Sequence, residues 1–224
     1  MIKLNLARCE QLTILDGVAV IISLSNTNLY NSILIPIFCE MITSTKFVRN
    51  ELKKANALPL ILSFIKNETN EEFLKDLINS LLIWLEADKK YVEGYLTEKE
   101  NFDELFKCFE ELICDNLINH LSVLISFFKI SDSIQIRFFN SDSIVRRIWE
   151  SLVKFDFLQT KDILLINVIM DFLDFLVRNR KNDRKFLEEI DFYKLLDNVK
   201  ALTKDHKLII VEEKVKKIYK KLSS

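Results

Sequence analysis

The sequence predicts an all-α fold, a right-handed solenoid of about five helical repeats that takes up residues 1–224 as a single domain. Three observations predict it. Apolar residues recur with helical spacing along the whole chain. A pattern of short helix, turn and two further helices returns about every forty residues. And the 224 residues include only 2 Gly and 2 Pro, where an average chain of this length holds roughly fifteen and ten. Hairpins, crossovers and phosphate loops depend on those two residues for their tight turns. A chain this poor in both joins helices through polar loops.

The repeat is clearest near the N-terminus. Aligning residues 7–24 with 46–65 places Leu12 on Leu52, Gly17 on Ala57, Val18 on Leu58 and Ile22 on Leu62, each forty residues apart. Later copies centre on Leu96, with Phe102 in the place of Leu58, on Phe139 with Val145, and on Leu187; the anchors step by 40, 44, 43 and 48 residues. No such unit can cover its own apolar face, so neighbouring units stack.

Within each copy a short helix and a turn lead to a second helix and then to a longer third. The third helices are expected at Ile33–Ile42, Glu71–Glu86, Leu117–Lys129, Lys161–Arg178 and Lys207–Lys221. Pro36 falls inside the first of these and is expected to kink or delay it. In the second copy Asn56-Ala57 forms the turn, and Pro59 stands in the first turn of the next helix, where a missing N–H costs nothing. Asp132-Ser133 and Ser141-Asp142 carry the residue types of N-caps. The segment Ala-Asn-Ala-Leu-Pro-Leu-Ile-Leu-Ser-Phe-Ile (55–65) resembles the second-helix signature of the armadillo repeat, and HEAT repeats are the nearest alternative. Asn56 stands where that signature has glycine, and asparagine tolerates the left-handed conformation of such a turn.

Composition narrows the chemistry. His120 and His206 are the only histidines, too far apart in sequence to suggest a nucleophile–base dyad or a metal cluster. Cys9, Cys39, Cys108 and Cys114 contain no CxxC pair and read as buried free thiols. Glycine occurs only at positions 17 and 94, so no phosphate loop exists. Asp-Phe occurs twice within residues 171–175, but Asp-Phe-Gly never does. The chain is therefore expected to be no enzyme and to need no cofactor or metal. No apolar run approaches the ~18 residues of a membrane span, and a soluble, cytoplasmic protein is expected.

Formal net charge is −1, which offers no field to recruit nucleic acid. The halves differ: residues 1–112 hold 12 basic and 17 acidic side chains, residues 113–224 hold 20 and 16. The basic excess gathers after Arg178, either as a solvated end or as a docking patch for an acidic partner. Tyr193 and Tyr219 are the only tyrosines there, and no aromatic platform for bases accompanies the lysines.

The third helices carry narrow polar stripes that make them the candidate partner surface. Between residues 163 and 177 the polar side chains are Asn167, Asp171 and Asp174, with Arg178 following, at spacings of 4, 3 and 4. Earlier third helices align Asn119, Ser122, Ser126 and Lys129, and Glu72, Lys75, Asn79, Ile83 and Glu86. One solvent-facing line per helix accounts for the spacing equally well. If the stripe binds, charge reversal at Asp171 and Asp174 is expected to weaken a partner and leave unfolding unchanged. Asn79 and Ile83 stand where peptide-binding armadillo proteins carry tryptophan and asparagine, which speaks against clamping an extended peptide.

Residues 38–96 resemble the C-terminal region of a family of STE-type serine/threonine kinases, the fungal septation-initiation and mitotic-exit kinases and plant mitogen-activated kinase kinase kinase epsilon. The likeness is carried by Cys39-Glu40-Met41, Arg49 and Leu52 before the leucine-rich helix, Trp84-Leu85 before Asp88, and Val92-Glu93 before Leu96. It continues more weakly through 127–152 and 186–199. The resemblance implies an accompanying kinase domain, a role in localisation and regulation, and a small Ras-like GTPase or spindle-pole scaffold as partner, at the spindle pole body. No binding residue carries over position by position. A helical-repeat adaptor unconnected with kinases is the second reading.

Overall fold

A computed structural model of the chain describes residues 6–25, 30–115, 117–154, 163–206 and 209–223; the side chains of 110–119, 154 and 202–209 lie outside that description. Among the described residues the protein is all-helical, with fifteen α-helices and no strand. In order they are α1 (Leu6–Ile14), α2 (Gly17–Ser25), α3 (Asn31–Thr43), α4 (Lys46–Lys54), α5 (Leu58–Asn67), α6 (Glu71–Ala87), α7 (Lys89–Leu96) and α8 (Lys99–Asp115). Then follow α9 (Leu117–Ile130), α10 (Asp132–Phe139), α11 (Asp142–Lys154), α12 (Ile163–Arg180), α13 (Arg184–Glu189), α14 (Phe192–His206) and α15 (Ile209–Ser223). The third helices foreseen in the sequence are α3, α6, α9, α12 and α15, but they are not always the longest of their copy: α8 has 17 residues against 14 in α9, and α14 and α15 have 15 each. The first residues foreseen for α12 and α15, Lys161 and Lys207, lie outside the described residues.

Local chemistry explains where helices begin. Thr45 accepts the Val48 N–H at 3.5 Å, Asn70 accepts those of Glu72 and Phe73 at 2.9 and 3.3 Å, and Asp183 accepts that of Phe186 at 3.2 Å. Before α10 the cap is Ser131, which accepts the Ile134 N–H at 3.1 Å. It lies one residue upstream of the expected Asp132, whose charge instead meets the first turn of the helix, where the dipole favours it. Asn56 has a positive φ of 53°, and Asp16 and Asp191 share that conformation at 56° and 55°. All three lie four residues beyond a repeat anchor (Leu12, Leu52, Leu187), so Asn and Asp do the work of the missing glycines. Pro59 occupies the first turn of α5, as foreseen.

Pro36 does not delay its helix. It lies inside α3, which already begins at Asn31 through the Ile33 and Leu34 N–H groups bonding the Tyr30 carbonyl at 2.9 and 2.8 Å. A proline here loses one backbone hydrogen bond. Burial of Leu34, Ile35, Phe38, Met41 and Ile42 on the same helix outweighs that loss.

The chain divides into two compact units, 1–108 and 109–224. In the first, α3 and α6 pack side by side along much of their length, with Phe38 meeting Phe64 edge-on at 5.9 Å. Arg49 of α4 donates to the carbonyls of Ile42 and Ser44 at 3.3 and 3.0 Å, closing the end of α3, and its Nε stands 3.8 Å from Asp88. In the second unit α12 packs against both α9 and α15. Its core holds Phe128, Phe138, Phe139, Phe172 and Phe175, with ring centroids 4.9 to 6.3 Å apart. Arg180 closes α10 much as Arg49 closes α3: its Nε donates to the Phe139 carbonyl, and its other nitrogens hold Asp142 and Asp183.

Candidate functional site

In the first unit α3 and α6 leave a cleft of about 250 Å³ between them. Its walls are Pro36, Cys39, Glu40 and Thr43 from α3 and Asp76, Asn79, Ser80 and Ile83 from α6. Each set follows the i, i+3, i+4, i+7 spacing of one helical face. Each α3 residue has its α6 counterpart forty positions on. Of the expected stripe, Asn79 and Ile83 line this cleft, with Ile83 41% exposed. Glu72 and Lys75 stand exposed in the first turns of the same helix. Two carboxylates and no basic side chain line the cleft. Beneath it, burial pushes the Cys39 thiol up to about 11; the Ser80 hydrogen bond opposes the shift, and the charges of Asp76 and Glu40 add to it. Such a thiol is neutral and a poor nucleophile at neutral pH.

In the second unit the stripes of α9 and α12 are brought together, and α15 joins them. Ser122 and Ser126 are half-buried, the Ser126 hydroxyl donating to the Ser122 carbonyl at 3.0 Å. The side chain of Asn119 lies outside the described residues. Asn167 donates to the Ile163 carbonyl at 3.0 Å. Asp171 is held by Lys214 of α15 at 2.6 Å and approached by Lys129 of α9 at 3.7 Å. Asp174 is bound by Lys221 of α15 and by Arg178, one turn along its own helix, at 2.5 Å. The α12 stripe is thus a line of ion pairs between adjacent helices.

That finding revises one expectation. Reversing the charge of Asp171 or Asp174 would set a cation against Lys214 or Lys221, so unfolding would not be left unchanged. Each partly exposed pair contributes on the order of 0.5–1 kcal/mol. Sequence reasoning also missed Lys214 and Lys221. Their spacing of seven on α15, beside the buried Val211, Val215 and Ile218, marks one face of that helix, but pairing across helices is not written in either segment alone. With Lys129, Arg178, Lys214 and Lys221 facing two carboxylates, this face has a surplus of positive charge.

Among the described residues no three His, Cys, Asp or Glu side chains gather as a metal site requires, and no helix is long and apolar enough to cross a membrane. What these faces offer is shape, charge and the apolar contact of Ile83. No protein-family model matches the chain, and no curated protein or solved structure is significantly similar to it.

Proposed function

We propose that the chain is a non-catalytic protein-binding module, an armadillo/HEAT-like right-handed solenoid of five three-helix repeats whose third helices carry the partner surface. The observation that supports it most is the cleft between α3 and α6, whose two walls repeat one pattern at an interval of forty residues. That interval is also the step between Leu12 and Leu52 in sequence. In the first unit α3 and α6, repeated at that period, stand side by side, and their cleft-facing lines meet on one face. The likeness of residues 38–96 to the C-terminal region of septation and mitotic-exit kinases supports a regulatory role beside a cell-division kinase. On this reading the partner is a small Ras-like GTPase or a spindle-pole scaffold, and the protein works in the cytoplasm and at the spindle pole body.

Affinity capture with the wild-type chain and with an Asn79→Ala/Ile83→Glu variant tests this. Both positions lie on the surface, so the variant should unfold within about 2 °C of wild type. A protein partner retained by wild type should be recovered about tenfold less with the variant, as loss of a central contact predicts. Dependence of that capture on GTP would identify a GTPase partner. Equal recovery of every bound protein by both chains contradicts the proposal.

A further inference from the structure

The second unit has a further cleft, of about 480 Å³, where the turn after α12 meets the last turn of α15. Lys181, Arg184, Lys185 and Lys221 surround it, and Asp183 is the one acidic residue in its wall. Both oxygens of Asp183 are already taken: Oδ1 accepts the Phe186 N–H and Oδ2 accepts from Arg180 at 3.0 Å. Lys221 shares Asp174. Lys185 is 89% exposed and reaches Glu189 only at 3.8 Å. Lys181 and Arg184 are exposed, and among the described residues neither has an acidic partner within ion-pair distance. Two helix C-termini meet here and attract cations, an effect of about 0.3–1 kcal/mol each. That attraction does not require four cations to converge on one concavity.

From this geometry we infer that the cleft receives the phosphate of a phosphoserine or phosphothreonine on a partner protein. A phosphate monoester carries close to two negative charges and three acceptor oxygens on one atom. Convergent lysines and a guanidinium fork match that compact dianion better than they match carboxylates strung along an acidic segment. A membrane is the poorer fit: among the described residues the exposed large apolar side chains of this unit are Ile136, Val153, Ile163, Leu164 and Ile210, none of which borders the cleft, and the one apolar residue in its wall, Leu222, is half-buried. The inference rests on the chain being a protein-binding module but uses a surface apart from Asn79 and Ile83.

Fluorescence anisotropy with the full chain tests it. The probes are a phosphoserine-centred peptide pool with neutral flanks, the same pool without phosphate, and vesicles of phosphatidylserine and phosphatidylcholine. The phosphorylated pool should bind about tenfold tighter than its counterpart or better. Lys181→Glu/Arg184→Glu should erase that preference, Arg184→Gln should reduce it, and Lys99→Glu/Lys107→Glu, the same charge change elsewhere, should keep it. Equal binding of the two pools, an unchanged preference in Lys181→Glu/Arg184→Glu, or binding of vesicles in place of peptide overturns the inference. If capture through Asn79 and Ile83 persists in that case, the module reading survives and only the phosphate site falls.

Discussion

Phe128→Ala should lower the free energy of unfolding by about 3–5 kcal/mol. Phe128 is 1% exposed on α9. Its ring lies 4.9 and 5.2 Å from Phe138 and Phe139 on α10, and 5.6 Å from Phe175 on α12. It therefore joins three helices at one point, and Phe138 and Phe139 extend the contact to Phe172. Truncation removes the transfer energy of the ring and leaves a cavity among rigid aromatic neighbours that collapse poorly. Against a typical total of about 5–15 kcal/mol, such a loss moves the thermal midpoint by roughly 10 °C. Phe128→Leu should recover more than half of it. Urea unfolding reads both values, and a loss under about 1 kcal/mol for Phe128→Ala would mean that the cluster does not bridge these helices.

Arg180→Ala should cost about 2–3 kcal/mol, most of it from the Phe139 carbonyl left without a donor at the end of α10. The Arg180 side chain is 12% exposed, against 57% and 41% for Asp142 and Asp183. The acids can therefore turn to water when the arginine is gone; the carbonyl cannot. The Phe186 ring, 4.7 Å from the guanidinium, loses a cation as well. Arg180→Lys should restore little, because one ammonium cannot span three acceptors. Arg146→Ala is the control: its pair with Glu189 is about 40% exposed on both sides, and its loss should stay within about 1 kcal/mol. Urea midpoints decide the matter, and equal shifts for Arg180→Ala and Arg146→Ala would reject the assigned role.

The helices were legible because their causes are local. Apolar spacing, the shortage of glycine and proline, and caps such as Asn70 act within a few residues, so the expected third helices appear at α3, α6, α9, α12 and α15. The left-handed Asn56 was legible too, through its match to a glycine position in a known turn. Asp16 and Asp191 were missed although they hold the same place, since aspartate signals caps as readily as turns. The delay foreseen for Pro36 is absent because its cost is local, while the burial that offsets it comes from α6 and neighbouring helices. The candidate surface was half legible. Helical spacing put Asn79 with Ile83, and Asn167 with Asp171 and Asp174, on common faces. Which acids find partners depends on distances between helices far apart in sequence, and Lys214 and Lys221 became visible only with α15 set against α12.

Site-specific photocrosslinking puts the proposed partner surface to its most direct test. Benzoylphenylalanine would be placed at Asn79 or Ile83 on α6, and at Ser63 on α5 or Lys107 on α8 as exposed positions on second helices. Crosslinks to a partner protein from positions 79 and 83, and none from 63 and 107, are the predicted result. Crosslinks of equal yield from all four positions, or from 63 and 107 alone, would contradict the account.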